Sequence, residues 1–206
     1  MIIEQLPVGP FQANCYLVGC KATNAGVIID PGDEASRILQ TVDRLGLNIK
    51  YVLLTHAHYD HIVAAKTVVE TTGVPLAMHR NDLPLLKAGG GALLFGLPVP
   101  PYKKPDMWLN EGDEIAFGER TLNVLFTPGH APGHVTFFEP EAGVLFDGDV
   151  LFAGSIGRTD LPGGSFETLM DSIAHKLMVL PDDTVVCSGH GPQTTIGRER
   201  VSNPFL

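Results

Sequence analysis

Residues 53–62, with the sequence LLTHAHYDHI, constrain this chain more than any other stretch. They continue an apolar run into four polar side chains within six positions, namely His56, His58, Asp60 and His61. Buried polar groups need partners, and at the end of a strand these are either hydrogen bonds or metal ions. A single histidine is more often a hydrogen-bonded core or loop residue. This density at a strand-to-helix junction favours a metal site.

The spacing within this stretch predicts two neighbouring ions. In an extended chain, side chains two residues apart point the same way, so His56 and His58 can meet one ion. A turn into a helix at Tyr59 redirects Asp60 and His61 toward a second ion. Imidazole and carboxylate ligands without cysteine suit Zn, Fe or Mn.

Further candidate ligands follow other apolar, strand-like runs. The segment FTPGHAPGHV offers His130 and His134, LFDGDV offers Asp147 and Asp149, and VVCSGHG offers His190. Loops at one edge of a rigid sheet are where α/β proteins build their sites. The sequence therefore predicts one cluster assembled from four strand ends.

Alternating strand and helix patterns predict an α/β protein with layered structure. Short β-rich runs come first, YVLLTH is typical of a buried strand, and residues 59–73 are predicted to form one helix. Residues 81–108 are apolar but rich in Gly and Pro, which indicates a loop or lid insertion rather than a central strand. We expect residues 1–206 to form one domain, with two β-halves covered by helices.

Composition excludes several classes of function. Fourteen Lys and Arg stand against 23 Asp and Glu, a net charge of −9 that disfavours nucleic-acid binding. Three cysteines without a Cys-x-x-Cys motif predict neither a disulfide framework nor a structural zinc site. The sequence has no apolar run long enough to span a membrane and no signal-peptide pattern, so we expect a cytoplasmic protein. The oligomeric state is left open.

The ordered motifs THAHYDH, PGHAPGH, GD and GHG resemble the metallo-β-lactamase superfamily and, within it, the short bacterial glyoxalase II-like hydrolases. The resemblance implies a four-layer αββα sandwich with two divalent metal ions, Zn first and Fe or Mn as alternatives. It also implies His134 and Asp30 as supporting residues. By motif, the implied ligands are His56, His58 and His130 for one ion, Asp60, His61 and His190 for the other, and Asp149 as the bridge between them.

Departures from the family pattern narrow the expected activity. Antibiotic-degrading branches commonly carry a cysteine where this chain has Asp149, so β-lactamase activity is not expected. Long glyoxalase II enzymes have a helical C-terminal domain that helps hold glutathione, and because this sequence ends shortly after His190 we expect much of that glutathione pocket to be missing. In GSIGRTDLPGG, Arg158 falls where those enzymes have a basic residue that contacts the glutathione glycine carboxylate. A structural Arg158–Asp160 ion pair is an equally weighted and compatible alternative.

The resemblance implies hydrolysis of a thioester of the S-lactoylglutathione type. A hydroxide that bridges the two ions would attack the carbonyl carbon, and Asp60, besides binding metal, would orient it. The first alternative is a mononuclear iron persulfide dioxygenase acting on glutathione persulfide, because that group shares the run from Gly157 to Asp160 and would bind Fe through His56, His130 and Asp149. Its Phe-Gln continuation is replaced here by Leu-Pro. The second alternative is a metal-binding protein without turnover.

Overall fold

Two six-stranded β-sheets form the centre of the computed structural model, which describes residues 1–206. In the first sheet, the chain order is also the spatial order. Its strands are β1 (Ile2–Val8), β2 (Ala13–Gly19), β3 (Ala25–Ile29), β4 (Asn48–Leu53), β5 (Leu76–His79) and β6 (Met107–Leu109). Strands β1 to β3 pair antiparallel, whereas β3 to β6 pair in parallel.

The later strands form the second sheet and a separate two-stranded hairpin. These are β7 (Glu114–Phe117), β8 (Arg120–Phe126), β9 (Val135–Glu139), β10 (Val144–Gly148), β11 (Leu151–Phe152), β12 (Ser155–Ile156), β13 (Val185–Ser188) and β14 (Thr194–Thr195). β11 and β12 form a separate hairpin, and the other six lie in the order β14-β13-β10-β9-β8-β7. Only β10 and β13 pair in parallel.

Six α-helices and three helical turns of other types connect the strands. The helices are α1 (Ala35–Leu45), α2 (Tyr59–Ile62), α3 (Ala65–Thr72), α4 (Leu83–Lys87), α5 (Phe166–Ser172) and α6 (Ile196–Ser202). The turns are 3-10 helices at Arg80–Asp82 and Ala92–Phe95 and a π-helix at Ile173–Leu177. No helix has the length and apolar character that crossing a membrane requires.

Three apolar clusters define the layers. One includes Ile38 of α1 and Ile28 of the first sheet, so helices cover the outer face of that sheet. The central cluster includes Ile29 and Phe137, which come from the two facing sheets. The third includes Leu169 of α5 and lies on the outer face of the second sheet. The order is helix, sheet, sheet, helix, and the predicted αββα sandwich is confirmed.

The apolar runs in the sequence follow from this layering. Ile28 and Ile29 are neighbours in β3 but belong to different clusters, as do Val52 and Leu53 in β4. Successive side chains of a strand point to opposite faces, and here both faces are covered. A strand of this kind reads as a continuous apolar run rather than as an alternation.

Strand direction brings the candidate ligand loops to one edge. β4 runs parallel to β3 in the first sheet, and β10 runs parallel to β13 in the second. β8 has the same direction as β10 because both are antiparallel to β9. The loops that follow β8, β10 and β13 therefore leave one edge of the second sheet, and the loop after β4 meets them there.

The structure differs from the sequence-based prediction at two connections. The single helix predicted over residues 59–73 is divided into α2 and α3, because the Ala64 amide donates to the carbonyl oxygen of Pro31 at 3.1 Å and leaves the helical pattern. The segment 81–108, predicted as a loop, ends in an edge strand instead, because Met107 and Trp108 pair with β5 as the first two residues of β6. The prolines of that segment precede β6, so they remove no hydrogen bond from the sheet.

Candidate metal centre

The opening motif lies where β4 ends and α2 begins. His56 and His58 are in the connecting segment, and His58 has an extended backbone immediately before the helix. Asp60 and His61 lie on the first turn of α2. The motif therefore changes from extended to helical chain at Tyr59, as its spacing predicts.

Three histidines form a first cluster. The candidate ligand atoms of His56, His58 and His130 all lie within 4.8 Å of one another, and all three residues are buried. The closest pair is Nδ1 of His58 and Nε2 of His130, at 2.7 Å. The loops following β4 and β8 thus bring His130 to the two histidines of the opening motif, from which it is distant in the sequence.

A second cluster consists of Asp60, His61 and His190, again within 4.8 Å of one another. Nε2 of His190 lies 3.1 Å from Oδ2 of Asp60, and Nε2 of His61 lies 3.8 Å from the same oxygen. The loop following β13 supplies His190.

Asp149 lies between the two clusters. Its Oδ2 is 3.4 Å from Nε2 of His130 and 3.6 Å from Nε2 of His190, and its Oδ1 is 3.5 Å from Nε2 of His61. One carboxylate therefore reaches histidines of both clusters. The seven residues that the family resemblance implies as ligands all lie at this one place.

Unpartnered buried atoms show that this cluster fits cations. Nε2 of His56, Nε2 of His61 and Oδ1 of Asp149 are buried and have no hydrogen-bond partner. Buried polar atoms without partners are rare in proteins, and three of the five in this structure belong to the candidate ligands, the other two being Oδ1 of Asp147 and Oγ1 of Thr184. Lone pairs of imidazole and carboxylate groups are the donors that Zn, Fe and Mn take.

Other groups fix the orientation of these imidazoles. Asp30 accepts hydrogen bonds from the Thr55 amide at 2.7 Å and the Thr55 hydroxyl at 2.6 Å, and its Oδ2 lies 3.0 Å from Nδ1 of His61. The Thr55 hydroxyl also contacts Nδ1 of His56 at 2.9 Å. Asp30 lies as near to His56 and His61 as a metal ligand would. Both of its carboxylate oxygens are already engaged in hydrogen bonds, so its role is to orient the neighbouring ligands. This is the supporting role that the sequence resemblance implied.

His134 holds the backbone of Asp149. Its Nε2 accepts a hydrogen bond from the Asp149 amide at 3.1 Å, and its Nδ1 lies 3.0 Å from the hydroxyl of Thr127. Both ring nitrogens therefore have partners, which leaves no lone pair for a metal. The two remaining histidines are occupied elsewhere: His79 stacks on Phe126, and exposed His175 pairs with Asp171.

Burial and charge set opposite protonation states in the two clusters. Burial lowers the pKa of His56 and of His130, and it lowers that of His58 to about 3, so these imidazoles are neutral and offer lone pairs. Burial by itself would also lower the pKa of His61, but the carboxylates of Asp149 and Asp60 raise it to about 10. A cation bound at His61 replaces that proton, since a metal ligand must be deprotonated.

The loop after β13 is fastened to the first sheet. The Asn14 amide of β2 donates to the Gly189 carbonyl oxygen at 2.7 Å, and the Asn14 side chain donates to the carbonyl oxygen of Ser188 at 2.9 Å. A Cβ on Gly189 would lie 2.2 Å from Oδ1 of Asp149, so only glycine permits this close approach. His190 is thereby held over the second cluster.

A buried carboxylate that the sequence motifs do not reveal joins two ligand loops. Asp82 has no exposed surface, and its carboxylate accepts hydrogen bonds from the amide of Ala57 at 3.0 Å and from the amide of Gly133. Ala57 lies between His56 and His58, and Gly133 lies in the loop that carries His130. Burial raises the pKa of Asp82 to about 6. No ligand motif in the sequence marks this residue.

A cavity of about 360 Å³ opens over the clusters. Its polar wall includes Asp60, Asp149 and His190, and its rim includes Phe11 and Arg158. The space next to the ligands is therefore large enough for part of a small molecule.

Arg158 faces this cavity and is also paired. Its Nε and one terminal nitrogen donate to the two carboxylate oxygens of Asp160 at 2.7 and 2.8 Å, and both side chains are mostly exposed. The backbone carbonyl oxygen of Arg158 lies 2.7 Å from Nδ1 of His130 and accepts a hydrogen bond from it when that nitrogen carries the proton. The structure thus contains the ion pair that was one of the two alternatives, and it places the guanidinium where a substrate could still reach it.

Residues 8–190 match the protein-family model of the Metallo-beta-lactamase superfamily. The chain belongs to this superfamily. It is 46% identical over 209 residues to a Haemophilus influenzae protein named hydroxyacylglutathione hydrolase GloC, covering 100% of this chain and 98% of that one. The family match agrees with the fold and with the ordered motifs, and the chain is a metal-dependent hydrolase of the metallo-beta-lactamase superfamily.

Solved structures of superfamily members show the same fold. BLEG-1, described as a B3 metallo-beta-lactamase, has a TM-score of 0.94 and 41% identity, covering 100% of this chain and 99% of that one. TTHA1623 in a di-iron-bound form has a TM-score of 0.87 and 44% identity, covering 98% and 100%. ETHE1 from Myxococcus xanthus has a TM-score of 0.84 and 31% identity, covering 99% and 84%.

Proposed function

We propose that this protein hydrolyses a thioester of glutathione, with S-lactoylglutathione as the first substrate to test, and that it uses two divalent metal ions. The single observation that carries the proposal is the position of Asp149, whose carboxylate lies between two ligand clusters beneath an open cavity. One ion would be held by His56, His58 and His130 and the other by Asp60, His61 and His190. Asp149 would contact both.

Similarity to a named hydroxyacylglutathione hydrolase supports the substrate class. Arg158 supports it as well, because a guanidinium at the cavity rim can bind a glutathione carboxylate through charge-assisted hydrogen bonds. Zn is the first metal to test. Fe is also supported, because a protein of 44% identity is known in a di-iron-bound form.

When bound, two such ions supply a nucleophilic hydroxide at neutral pH and polarise a carbonyl oxygen. The residues of the chain position the reactants. Burial by itself would raise the pKa of Asp60, but His61 and His190 hold it well below its usual range, so this side chain stays a carboxylate. It faces the cavity and can accept a hydrogen bond from the attacking oxygen, which orients that oxygen toward the substrate.

The overall reaction balances without a redox partner. Water supplies the oxygen of the new C–O bond, the C–S bond breaks, and the sulfur leaves with the bonding electrons as a thiolate. A thiol has a pKa of about 8.5, so its thiolate is a good leaving group that needs no strong general acid. The products are a carboxylate and a thiol.

The alternative is a mononuclear iron enzyme acting on glutathione persulfide. The run from Gly157 to Asp160 and the similarity to ETHE1 favour it. The second cluster favours the hydrolase, because a single ion at His56, His130 and Asp149 would leave Nε2 of His61 buried without a partner. The open cavity disfavours a metal-binding protein without turnover.

Parallel assays test the proposal. Purified protein is loaded with Zn or Fe, its metal content is measured, and turnover of S-lactoylglutathione is compared with oxygen consumption on glutathione persulfide. We expect thiol release from the thioester and no oxygen consumption. Oxygen consumption with one iron per chain, and no thiol release, would replace the hydrolase with the oxygenase.

A further inference from the structure

A second cavity of about 250 Å³ adjoins the one above the clusters. His58, Gly90, Phe95 and Leu161 line both, so the two spaces meet beside a candidate metal ligand. The remaining wall of the second cavity is apolar, and His58 is its only polar side chain. The first cavity combines the candidate ligands and Arg158 with apolar side chains such as Phe152, whereas the second has no charged side chain and no polar one other than His58.

The wall of this second cavity is exposed to solvent although it is apolar. Leu93 and Leu94 of the 3-10 helix Ala92–Phe95 are 74% and 61% exposed, and Phe95 is 44% exposed. Phe95 also meets Phe11 at the rim, with ring centroids 6.0 Å apart. Neighbouring exposed apolar side chains around a concave surface are typical of a binding site.

This apolar wall is fixed to the metal centre. The amide of Tyr59 donates to the carbonyl oxygen of Gly90 at 2.9 Å, and Tyr59 directly follows the candidate ligand His58. Gly90 has a φ of +67°, and a Cβ there would lie 2.3 Å from the Tyr59 nitrogen, so only glycine allows this contact. The cavity therefore has a set position relative to His58 and the first cluster.

A thioester consists of a thiol carrier and an acyl group. The two cavities differ in polarity, as these two parts of a glutathione thioester can. The thiol carrier of a glutathione thioester bears carboxylates, which suit the side of the site that holds Arg158. The acyl group is then directed past His58. A lactoyl group has two carbons beyond the carbonyl and a hydroxyl group that the apolar wall cannot hydrogen-bond, so it would leave most of the second cavity empty.

We infer that the apolar cavity between residues 85–95 and the Leu161-Pro162 loop binds the acyl group, and that the preferred substrate carries an apolar acyl group. This inference rests on the proposed thioester hydrolysis. An apolar cavity of about 150 Å³ holds benzene, so about 250 Å³ suits a linear acyl group of roughly six to eight carbons or an arylacetyl group.

The first test is a chain-length series on the metal-loaded protein. kcat/KM is measured for S-acetyl-, S-butanoyl-, S-hexanoyl-, S-octanoyl- and S-lactoylglutathione. We expect it to rise about fourfold for each added methylene until the cavity is full, which is the equivalent of about 0.8 kcal/mol per methylene. A flat or falling series would overturn the inference.

Variants localise the effect. Ala88→Phe fills the cavity and Leu94→Gln makes its wall polar, and both residues are exposed, so neither change disturbs the core. Val179→Gln is the matched control, because Val179 is 68% exposed and lies outside the cavity. We expect the hexanoyl-to-acetyl ratio of kcat/KM to fall toward one in the first two variants and to keep its wild-type value in the control. A wild-type ratio in all three would show that the acyl group binds elsewhere.

A binding measurement separates this inference from the proposed function. Dissociation constants of S-methyl-, S-butyl- and S-hexylglutathione, which cannot be hydrolysed, are measured by calorimetry on the metal-loaded protein. We expect the affinity to rise with chain length and this rise to disappear in Ala88→Phe. If it does so while no thioester turns over, the cavity assignment stands and the hydrolase proposal fails. If thioesters turn over but chain length changes neither rate nor affinity, the reverse holds.

Discussion

Replacing Asp82 with alanine tests whether one buried carboxylate holds two ligand loops in place. The side chain accepts hydrogen bonds from Ala57 and Gly133, in the loops that carry His56 and His58 on one side and His130 on the other. Alanine leaves both backbone donors buried without a partner. Each such donor costs about 1–3 kcal/mol, so we expect a loss of about 2–6 kcal/mol in the free energy of unfolding.

The assays are thermal unfolding and metal affinity on the same preparations. For a domain of this size, 1 kcal/mol corresponds to about 2–4 °C in Tm, so Asp82→Ala should lower Tm by roughly 5–20 °C. The dissociation constant for Zn should increase, because the first cluster needs both loops. Asp82→Asn keeps one accepting oxygen and places an NH2 group against the other donor, so its losses should lie between those of wild type and alanine.

Asp183→Ala is the matched control, since Asp183 is an exposed aspartate whose removal leaves no buried donor. Asp82 does not hold the two loops if Asp82→Ala unfolds within about 2 °C of the control and binds Zn with wild-type affinity. A lower Tm with unchanged Zn affinity would show that Asp82 stabilises the fold without positioning the ligands.

The remaining predictions concern the metal centre and the cavity rim. Metal-saturated protein should contain two ions per chain by elemental analysis, and His190→Ala should contain fewer; at most one ion in wild type, with unchanged content in the variant, contradicts the two-ion proposal. Asp149→Ala should lose ions from both clusters and lower turnover by orders of magnitude while circular dichroism shows an intact fold; wild-type turnover would remove the bridging role. Arg158→Ala should raise KM for S-lactoylglutathione about ten- to a hundredfold at constant kcat, because one charge-assisted hydrogen bond is lost. If Arg158→Ala and Asp160→Ala both lose as much activity on an uncharged thioester as on S-lactoylglutathione, Arg158 only shapes the loop. The raised pKa of His61, about 10 against an ordinary 6.5, predicts that the metal-free fold is stabilised by this group below about pH 6.5 and loses that stabilisation as pH rises toward 10. Over the same range the affinity of the second cluster for metal should rise, because the ion bound at His61 displaces its proton. Chelator competition at several pH values measures this affinity, and a pH-independent affinity would exclude a protonated His61.

The parts of the site that have local sequence signatures could be predicted from the sequence. His56, His58, Asp60 and His61 lie within one short segment, and His130 and His190 each follow an apolar strand and a glycine. Parallel strand direction then brings these segments to one edge, which a layered α/β pattern already predicts.

Other parts depend on partners distant in the sequence. Asp82 precedes the LPLLK helix and has the local pattern of a helix N-cap, yet its side chain makes no capping bond and reaches the loops of Ala57 and Gly133 instead. Asn14 shows no local sign that it holds the loop of His190. The break between α2 and α3 arises from the Pro31 carbonyl, which no helical periodicity can reveal.

The fastening of His190 to β2 by Asn14 has a consequence for biosynthesis. The histidines of the opening motif emerge from the ribosome well before β13, so an early-folding first sheet would display only part of a ligand set. Because the second cluster closes only when β13 has paired and its loop has met β2, the complete centre exists only in the fully assembled chain. The native protein, rather than a folding intermediate, then selects among the available metal ions. Ions bound at the complete centre stabilise the native state by mass action.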